Sequence, residues 1–381
     1  MKKSDTKSIK NNNTALVLRC LLCGAVSRAQ VAEQTGLSKA TVTALIGELL
    51  AKGILTETGT EGFGVGRPRT SLALVPSYAY AVGMVLHRRR LSVSLIDLAL
   101  TPLDTLSFST ADFASPKEAL DTLFDGIDTL CQRHNVEKAR LIGIGVSAPG
   151  PLDFKAGVIH DPPRLSLFHG ARVSEYLAKK TDLPVFLDNN ATLLAMHERR
   201  LRQGSLSSWS FVIVTDGVGS ASFIDDKLLR GAGGYAGELG HISVEAEGPL
   251  CACGNRGCLE RCISADNLRE KFGMESYRAA ADAAERGEEQ GRAALAYVAD
   301  CLSLALSSLV NLLNPEAIVL YGELNYKKEL LFPLIEEQIR RRAAVGRASG
   351  VTLLASLADE NAVIASSADA ILDAYFGQKF N

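Results

Sequence analysis

The feature that most constrains the fold is a change of rhythm at Pro76. Before it, apolar residues recur at helical spacing and are punctuated by Ser and Gly. After it, short apolar runs alternate with helical segments, the pattern of an α/β body. The expected division is therefore an N-terminal domain, 1–76, and a body, 77–381. Charge divides at the same point. Residues 1–76 hold ten Lys/Arg against five Asp/Glu, and the remainder holds 31 against 38. A basic head on an acidic body points to nucleic-acid contact confined to the N-terminus; a solvated basic tail is the bland alternative.

At 381 residues and 47% hydrophobic, the chain can bury a large core and lacks the composition of a disordered one. No apolar run reaches the roughly 18 residues that span a bilayer. Leu16 to Val26 imitates a leader, but Arg19 interrupts it and no small-x-small cleavage site follows. The expectation is a cytoplasmic protein with no membrane partner. Its eight cysteines are then reduced thiols or metal ligands.

Three helices are expected in the head. The first runs from about Thr14 to Cys23. Ser27 caps the second, Arg28 to Thr35, which Gly36 ends. Ser38 caps the third, which carries a Val42, Leu45, Ile46, Leu49 and Leu50 stripe to about Lys52. Strands at Ile54 to Glu57 and Thr70 to Val75 flank a glycine-rich tip, Gly59 to Gly66. This is a winged helix-turn-helix. Its recognition helix would present Ser38, Lys39, Ala40, Thr41 and Thr43 to a major groove. Arg67 and Arg69, stiffened by Pro68, suit a narrow minor groove. A three-helix protein-binding module is the alternative.

The body reads as a hairpin (Tyr80 to Leu86, Leu91 to Leu98), a helix (Pro116 to His134) and a strand (Arg140 to Ser147). A helix (Val173 to Lys180), a strand (Pro184 to Leu187) and a helix (Ala191 to Gln203) follow. Strands at Ser210 to Val214 and Gly219 to Ile224 surround Thr215 to Gly219. One helical stretch covers Ala265 to Asn314. Strands at Ala317 to Tyr321 and Val351 to Ala355, and helices at Tyr326 to Ala344 and Ala362 to Phe376, complete it. Tight glycine turns at strand ends are where ligands bind in such bodies.

Five motifs occur in a telling order: Gly143 to Pro151, Pro184 to Ala191, Thr215 to Gly219, Gly237 to His241, and Cys251 to Glu260. Together they resemble the ROK family of repressors, open reading frames and kinases. The head resembles that of its sugar-responsive repressors, and the resemblance spans nearly the whole chain. It implies an actin-like, RNase-H-like pair of α/β lobes with a sugar cleft between them.

Cys251, Cys253 and Cys258 lie close enough in sequence for one loop to wrap a metal ion, with Gly254 and Gly257 at its turns. Zn²⁺ takes four tetrahedral Cys and His ligands in structural sites. His241 is the fourth ligand that the resemblance supports. Four protein ligands leave no position for an activated water, so the expected zinc is structural. Cys262 is a substitute ligand, and four unrelated thiols are the alternative.

By the same resemblance, Gly150, Asn189, Asn190, Glu238, His241 and Glu260 are the sugar-binding set. His241 would link zinc to sugar. The family's kinase branch needs a base for the sugar hydroxyl, placed directly after the Asn. Asn190 stands there, and an amide accepts no proton. Val85 fills the Asp position of the first phosphate loop, and Tyr321 fills the first glycine of the late nucleotide loop. Thr215 to Gly219 still looks like a phosphate loop, though a tight β-turn explains it equally. Arg164 stands where the family has Asn; it could face an anionic ligand or simply lie on the surface.

These readings point to a DNA-binding, sugar-responsive repressor without catalytic residues, acting on operator DNA as a homodimer or homotetramer. A hexose kinase with a DNA-binding head, and a repressor gated by another protein, are the rivals.

Overall fold

The computed structural model describes residues 6–22, 24, 26–61, 69–162, 165–344 and 350–379. The chain divides into two compact units, Met1–Gln203 with Asp359–Asn381, and Gly204–Ala358.

The first unit opens with α1 (Thr6–Leu22), α2 (Arg28–Thr35) and α3 (Lys39–Ala51), then the antiparallel pair β1 (Leu55–Glu61) and β2 (Arg69–Leu74). Ser27 and Ser38 cap α2 and α3 by accepting backbone N–H bonds from Gln30 and Thr41. Gly36, in the left-handed region at φ 68°, ends α2 and sets up the turn. Helix α1 begins eight residues earlier than its apolar stripe suggests. Residues 6–13 contain no Gly or Pro to stop it, and Lys10 pairs with Glu48 of α3 at 2.6 Å.

Strands β3 (Tyr80–Leu86), β4 (Arg90–Asp97) and β5 (Pro102–Ser109) form an antiparallel meander, and α4 (Pro116–Arg133) follows. Strand β6 (Leu141–Ala148), the short pair β7 (Leu152–Asp153) and β8 (Val158–Ile159), α5 (Val173–Ala178), β9 (Val185–Asn189) and α6 (Asn190–Leu201) come next. The sheet order is β5-β4-β3-β6-β9, with β3, β6 and β9 parallel. Strand β5 carries no clear strand signal in the sequence. It is an edge strand, half exposed, and a register irregularity at Leu95/Ile96 breaks its alternation.

The second unit repeats that order. Strands β10 (Trp209–Val214), β11 (Val218–Ile224) and β12 (Lys227–Leu228) are antiparallel neighbours. Helices α7 (Leu259–Cys262), α8 (Ala265–Phe272), α9 (Tyr277–Glu285) and α10 (Glu289–Leu313) precede β13 (Ala317–Gly322), α11 (Lys328–Arg342) and β14 (Thr352–Ala355). The order is β12-β11-β10-β13-β14, with β10, β13 and β14 parallel. Each unit is thus an RNase-H-like α/β layer, and the chain has the actin-like fold. Trp209 is fully buried and stacks on Phe223 with ring centroids 5.1 Å apart. The single helical stretch expected from Ala265 onward is three helices, because Gly273 caps α8 in the left-handed region and Gly287 follows α9. Helix α10 is long and apolar enough to cross a membrane by length and composition alone; two-thirds of that stretch is buried in this unit's core.

Helix α12 (Ala362–Lys379) belongs to the first unit and lies on β3 and β6. It approaches the sheet so closely that a Cβ on Gly145 would sit 1.7 Å from the Ser367 carbonyl oxygen. Its Ala368, Ile371 and Leu372 join one core with Val17, Leu18 and Leu21 of α1, Val42 and Ile46 of α3, and Ile96 and Ile142 of the sheet. The three N-terminal helices therefore have no separate core; they share one with the C-terminal helix.

Candidate metal centre and ligand-binding residues

The cysteine motif folds as a narrow hairpin. Residues 242–244 run antiparallel to 257–259, with Val244 N–H bonded to the Gly257 carbonyl and Leu259 N–H to that of Ile242. A second bridge joins Leu250 to Arg256. Only glycine fits at 257, where φ is 65° and a Cβ would lie 1.6 Å from the Glu245 carbonyl oxygen. The hairpin brings His241, Cys251, Cys253 and Cys258 together, with all four ligand atoms within 4.8 Å of one another. Cys251 Sγ is 3.8 Å from His241 Nδ1, and Cys253 Sγ is 3.6 Å from Cys258 Sγ. Those spacings are close to the edges of a tetrahedron, about 3.8 Å, around an ion bound by thiolates. Burial, with the neighbouring thiols of Cys253 and Cys251, pushes the Cys258 thiol up to about 12. Three thiolates held this close need a cation to offset their charge. The donor set therefore fits a metal ion.

Asn255 braces the hairpin, donating from Nδ2 to Ser243 Oγ (3.0 Å) and to Cys258 Sγ (3.5 Å). Cys262 is not part of the cluster. One helical turn beyond Cys258, its thiol donates to Glu245 Oε2 at 3.6 Å and lies beside Cys301. That corrects its place as a substitute ligand. Glu245 in turn accepts from Lys271 Nζ at 2.9 Å and from the Tyr297 hydroxyl at 3.0 Å.

Glu238 and His241 are held by a tight approach to β11. The Gly237 carbonyl accepts both the N–H and the hydroxyl of Ser220, each at 2.9 Å. A Cβ on Gly237 or Gly240 would lie 2.0 or 2.2 Å from the carbonyl oxygens of Ser220 and Val218. His241 turns Nδ1 toward the thiols and Nε2 toward Glu238 Oε2, 4.0 Å away. Crowding by surrounding protein raises the Glu238 carboxyl above the usual range, opposed by His241 and reinforced by the Glu260 carboxylate, although 44% of its side chain remains exposed.

Glu260, on α7, accepts the Val218 N–H at 2.9 Å. It thereby takes a backbone donor of the turn that resembles a phosphate loop. Two further carboxylates belong to this edge of the sheet, and sequence reasoning missed them. Burial, then the nearby Asp216, raises the Glu323 carboxyl. Asp216 follows β10 and Glu323 follows β13, whose ends are in register at Val214 and Gly322. The visible signal is an acidic residue within two positions of each strand's end. Tyr321 is packed 6.0 Å from the Phe211 ring.

In the first unit, Ala148 of β6 pairs with Asn189 of β9, so Gly150 and Asn189 lie at the C-terminal edge of one parallel pair. Asn189 Oδ1 accepts the Ala191 N–H at 2.8 Å and caps α6. Asn190 Oδ1 accepts the same N–H, also at 2.8 Å. Val85 is half-buried in β3, opposite Ser147 of β6. Arg164 lies outside the described residues.

On α3, Lys39, Ala40 and Thr43 are exposed and Thr41 is half-buried, while Val42, Leu45, Ile46 and Leu49 face the core. Ser38 Oγ is engaged with Thr41, at 3.1 Å from its N–H and 2.9 Å from its hydroxyl. Thr43 donates to the Lys39 carbonyl at 2.8 Å. Arg67 lies outside the described residues, and Arg69 is described only as backbone opposite Glu61.

The chain is 27% identical over 377 residues to the xylose repressor of Caldicellulosiruptor bescii, covering 93% of this chain and 94% of that protein. It is also 27% identical over 380 residues to the DNA-binding transcriptional dual regulator NagC of Escherichia coli, covering 94% and 92%. A solved ROK family transcriptional regulator, described as a homologue of the E. coli MLC protein, shares the fold with a TM-score of 0.78 at 24% identity, over 97% of this chain and 98% of that one. The ROK family pattern itself matches residues 90–370, which contain the cysteine hairpin, the Glu238–His241 turn and the helix-capping Asn189, and this chain belongs to the ROK family.

Proposed function

We propose that this protein is a transcriptional repressor of carbohydrate genes whose hold on operator DNA changes when a sugar binds. The observation that carries the reading is similarity running through the head as well as the body, over more than nine-tenths of two proteins named as a repressor and a DNA-binding regulator. Residues 1–76 are the DNA-binding domain. Lys39, Thr41 and Thr43 of α3, with Ser38 at its start, read base edges in the major groove, and Arg67 and Arg69 enter the minor groove. Residues 77–381 bind sugar and carry the oligomer contacts. A homodimer or homotetramer matches the two-fold symmetry of a palindromic operator. The protein works in the cytoplasm, where that DNA is.

Each unit carries groups suited to sugar hydroxyls. Glu238, His241 and Glu260 accept or donate in the second unit; Gly150, Asn189 and Asn190 do so in the first. The metal is zinc, and its role is structural. Four protein ligands close its shell, and its charge fixes the imidazole that stands beside Glu238. Phosphotransfer is absent from this reading. Asn190 supplies no base, and the acidic edge formed by Asp216, Glu260 and Glu323 opposes phosphate. The ligand acts by binding the DNA-competent and DNA-incompetent arrangements with different affinity.

The test is fluorescence anisotropy on labelled DNA from upstream of the gene, at fixed salt, with neutral, N-acetylated, acidic and phosphorylated sugars. A shift with one sugar supports the reading and names the effector. Specific DNA binding that no sugar moves would sink the sugar-sensing half.

A further inference from the structure

We infer that α6 is the strut that carries sugar occupancy to the DNA-binding head, with Gln203 and Asp369 as its positioning residues. This rests on the reading of Asn189 as a sugar ligand and of α3 as the DNA reader.

Helix α6 begins at that ligand. Asn189 caps it through the Ala191 N–H, so the side chain that would meet sugar is locked to the helix start. The helix then runs rigidly for 12 residues, roughly 18 Å. Its far end reaches the head. Gln203, two residues past the last turn and left-handed at φ 54°, lays its side chain against Gly24 in the segment joining α1 to α2. A Cβ placed on Gly24 would lie 2.7 Å from Gln203 Nε2.

A second link leaves the C-terminal half of the helix. Arg200 grips Asp369 of α12 with two nitrogens, one of them Nε at 2.9 Å from Oδ2, and His197 Nδ1 lies 3.1 Å from the same oxygen. Asp369 is 3% exposed. Parting a buried pair strands an uncompensated charge, so α6 and α12 shift together or not at all. Helix α12 shares its core with α1 through Ala368, Ile371 and Leu372. Helix α6 therefore reaches the head by two routes, through Gln203 at the segment after α1 and through α12 at the core that α12 shares with α1. A displacement at Asn189 has a continuous path of capped, ion-paired and packed elements to follow.

The experiment uses the full chain. DNA affinity is measured by anisotropy with and without D-xylose, N-acetylglucosamine and glucose, and sugar affinity by calorimetry. The effective sugar should change wild-type DNA affinity by roughly five-fold or more, the usual range of such coupling. Gln203→Ala should keep sugar affinity, and DNA affinity without sugar, within about two-fold, yet lose most of that sugar-dependent ratio. Gln203→Met, which refills the contact, should keep the ratio. Asp369→Asn should lose it as well. A merely structural role would lower the melting temperature and leave the ratio alone. A wild-type ratio in both Gln203→Ala and Asp369→Asn overturns the strut. A wild-type protein whose DNA affinity no sugar changes overturns the sugar-responsive reading, and the strut falls with it.

Discussion

Nε2 of His241 lies 4.0 Å from Oε2 of Glu238, on the side of the ring away from the thiols. Nδ1 of the same ring is 3.8 Å from Cys251 Sγ. One imidazole therefore lies between a cluster that could hold a metal ion and the Glu238 carboxylate. With a cation on Nδ1, Nε2 carries the proton and is a fixed donor toward Glu238 and any hydroxyl beside it. Without a cation, the tautomer and the ring orientation are both unpinned.

Metal removal should accordingly act at a distance from the ion. Freshly purified protein should contain one zinc per chain by elemental analysis, and Cys258→Ser should contain almost none. Stripping the metal should lower the melting temperature and weaken sugar binding by roughly ten-fold or more, the scale on which neighbours of a metal site matter. Metal uptake should release protons, because thiols must ionise to bind, so affinity for zinc should rise with pH. Full sugar affinity in the stripped protein would separate the ion from the ligand site.

Glu238 should give sugar binding a pH dependence. Burial holds its carboxyl above the ordinary carboxylate range against the opposing pull of His241, and the Glu260 charge adds to the rise. The ionised form accepts charge-assisted bonds from hydroxyls, so sugar affinity should be full above that raised value and should fall as pH drops through it. Glu238→Gln should bind sugar about ten-fold more weakly at neutral pH, with a flatter pH profile, and should bind DNA normally without sugar. Calorimetry at several pH values checks both, and an unchanged profile in Glu238→Gln would remove the carboxylate from the ligand site.

The DNA face should divide into positioning and reading residues. Lys39 is exposed at the start of α3, where a cation meets phosphate or a base edge. Lys39→Ala should weaken binding across sequences and reduce the salt slope by about one. Thr41→Ala and Thr43→Ala should instead relax preference at single base positions. Arg67→Ala with Arg69→Ala should reduce affinity most where the flanking minor groove is narrow. Anisotropy titrations at several salt concentrations on operator variants distinguish these outcomes.

Much of this arrangement was legible in local sequence signals. Ser27, Gly36 and Ser38 mark the bounds of α2 and α3 because caps and left-handed stops act within four residues. The spacing of Cys251, Cys253 and Cys258 marks the hairpin for the same reason. The illegible parts depend on distant partners. Strand β5 is exposed at a sheet edge, so only its pairing with β4 defines it. Cys262 has the residue type of a ligand, but α7 turns its thiol toward Glu245. No local pattern at Ser367 says that it will lie on Gly145, more than 200 residues away, and so return the C-terminal helix to the first unit.

Phosphotransfer should resist simple repair. Asn190→Asp would restore a base directly after Asn189. It would leave Glu260 on the Val218 N–H, and Asp216 and Glu323 at the strand ends, where phosphate needs donors and cations. Wild type and Asn190→Asp should therefore show no sugar-dependent ADP release and no ATP binding by calorimetry. Turnover in Asn190→Asp alone would mean that the acidic edge does not exclude the nucleotide.

The buried end of α6 makes stability depend on pH. His197 is 7% exposed, and burial first, then the Arg200 charge, lowers its pKa from 6.5 to about 4. Asp369 lies against the ring, but its charge is already met by Arg200, so burial prevails. The folded protein holds this histidine neutral, whereas the unfolded chain protonates it below about 6.5. The unfolded state therefore binds more protons between about 6.5 and 4, and stability falls as pH drops through that window. The full effect is of the order of 3 kcal/mol. Urea melts of wild type and His197→Gln at pH 7 and pH 4.5 isolate it from the other titrating groups. The wild type should lose more stability than the variant on acidification. Equal losses would show that the ring is protonated in the folded state and that Asp369, rather than burial, sets its charge.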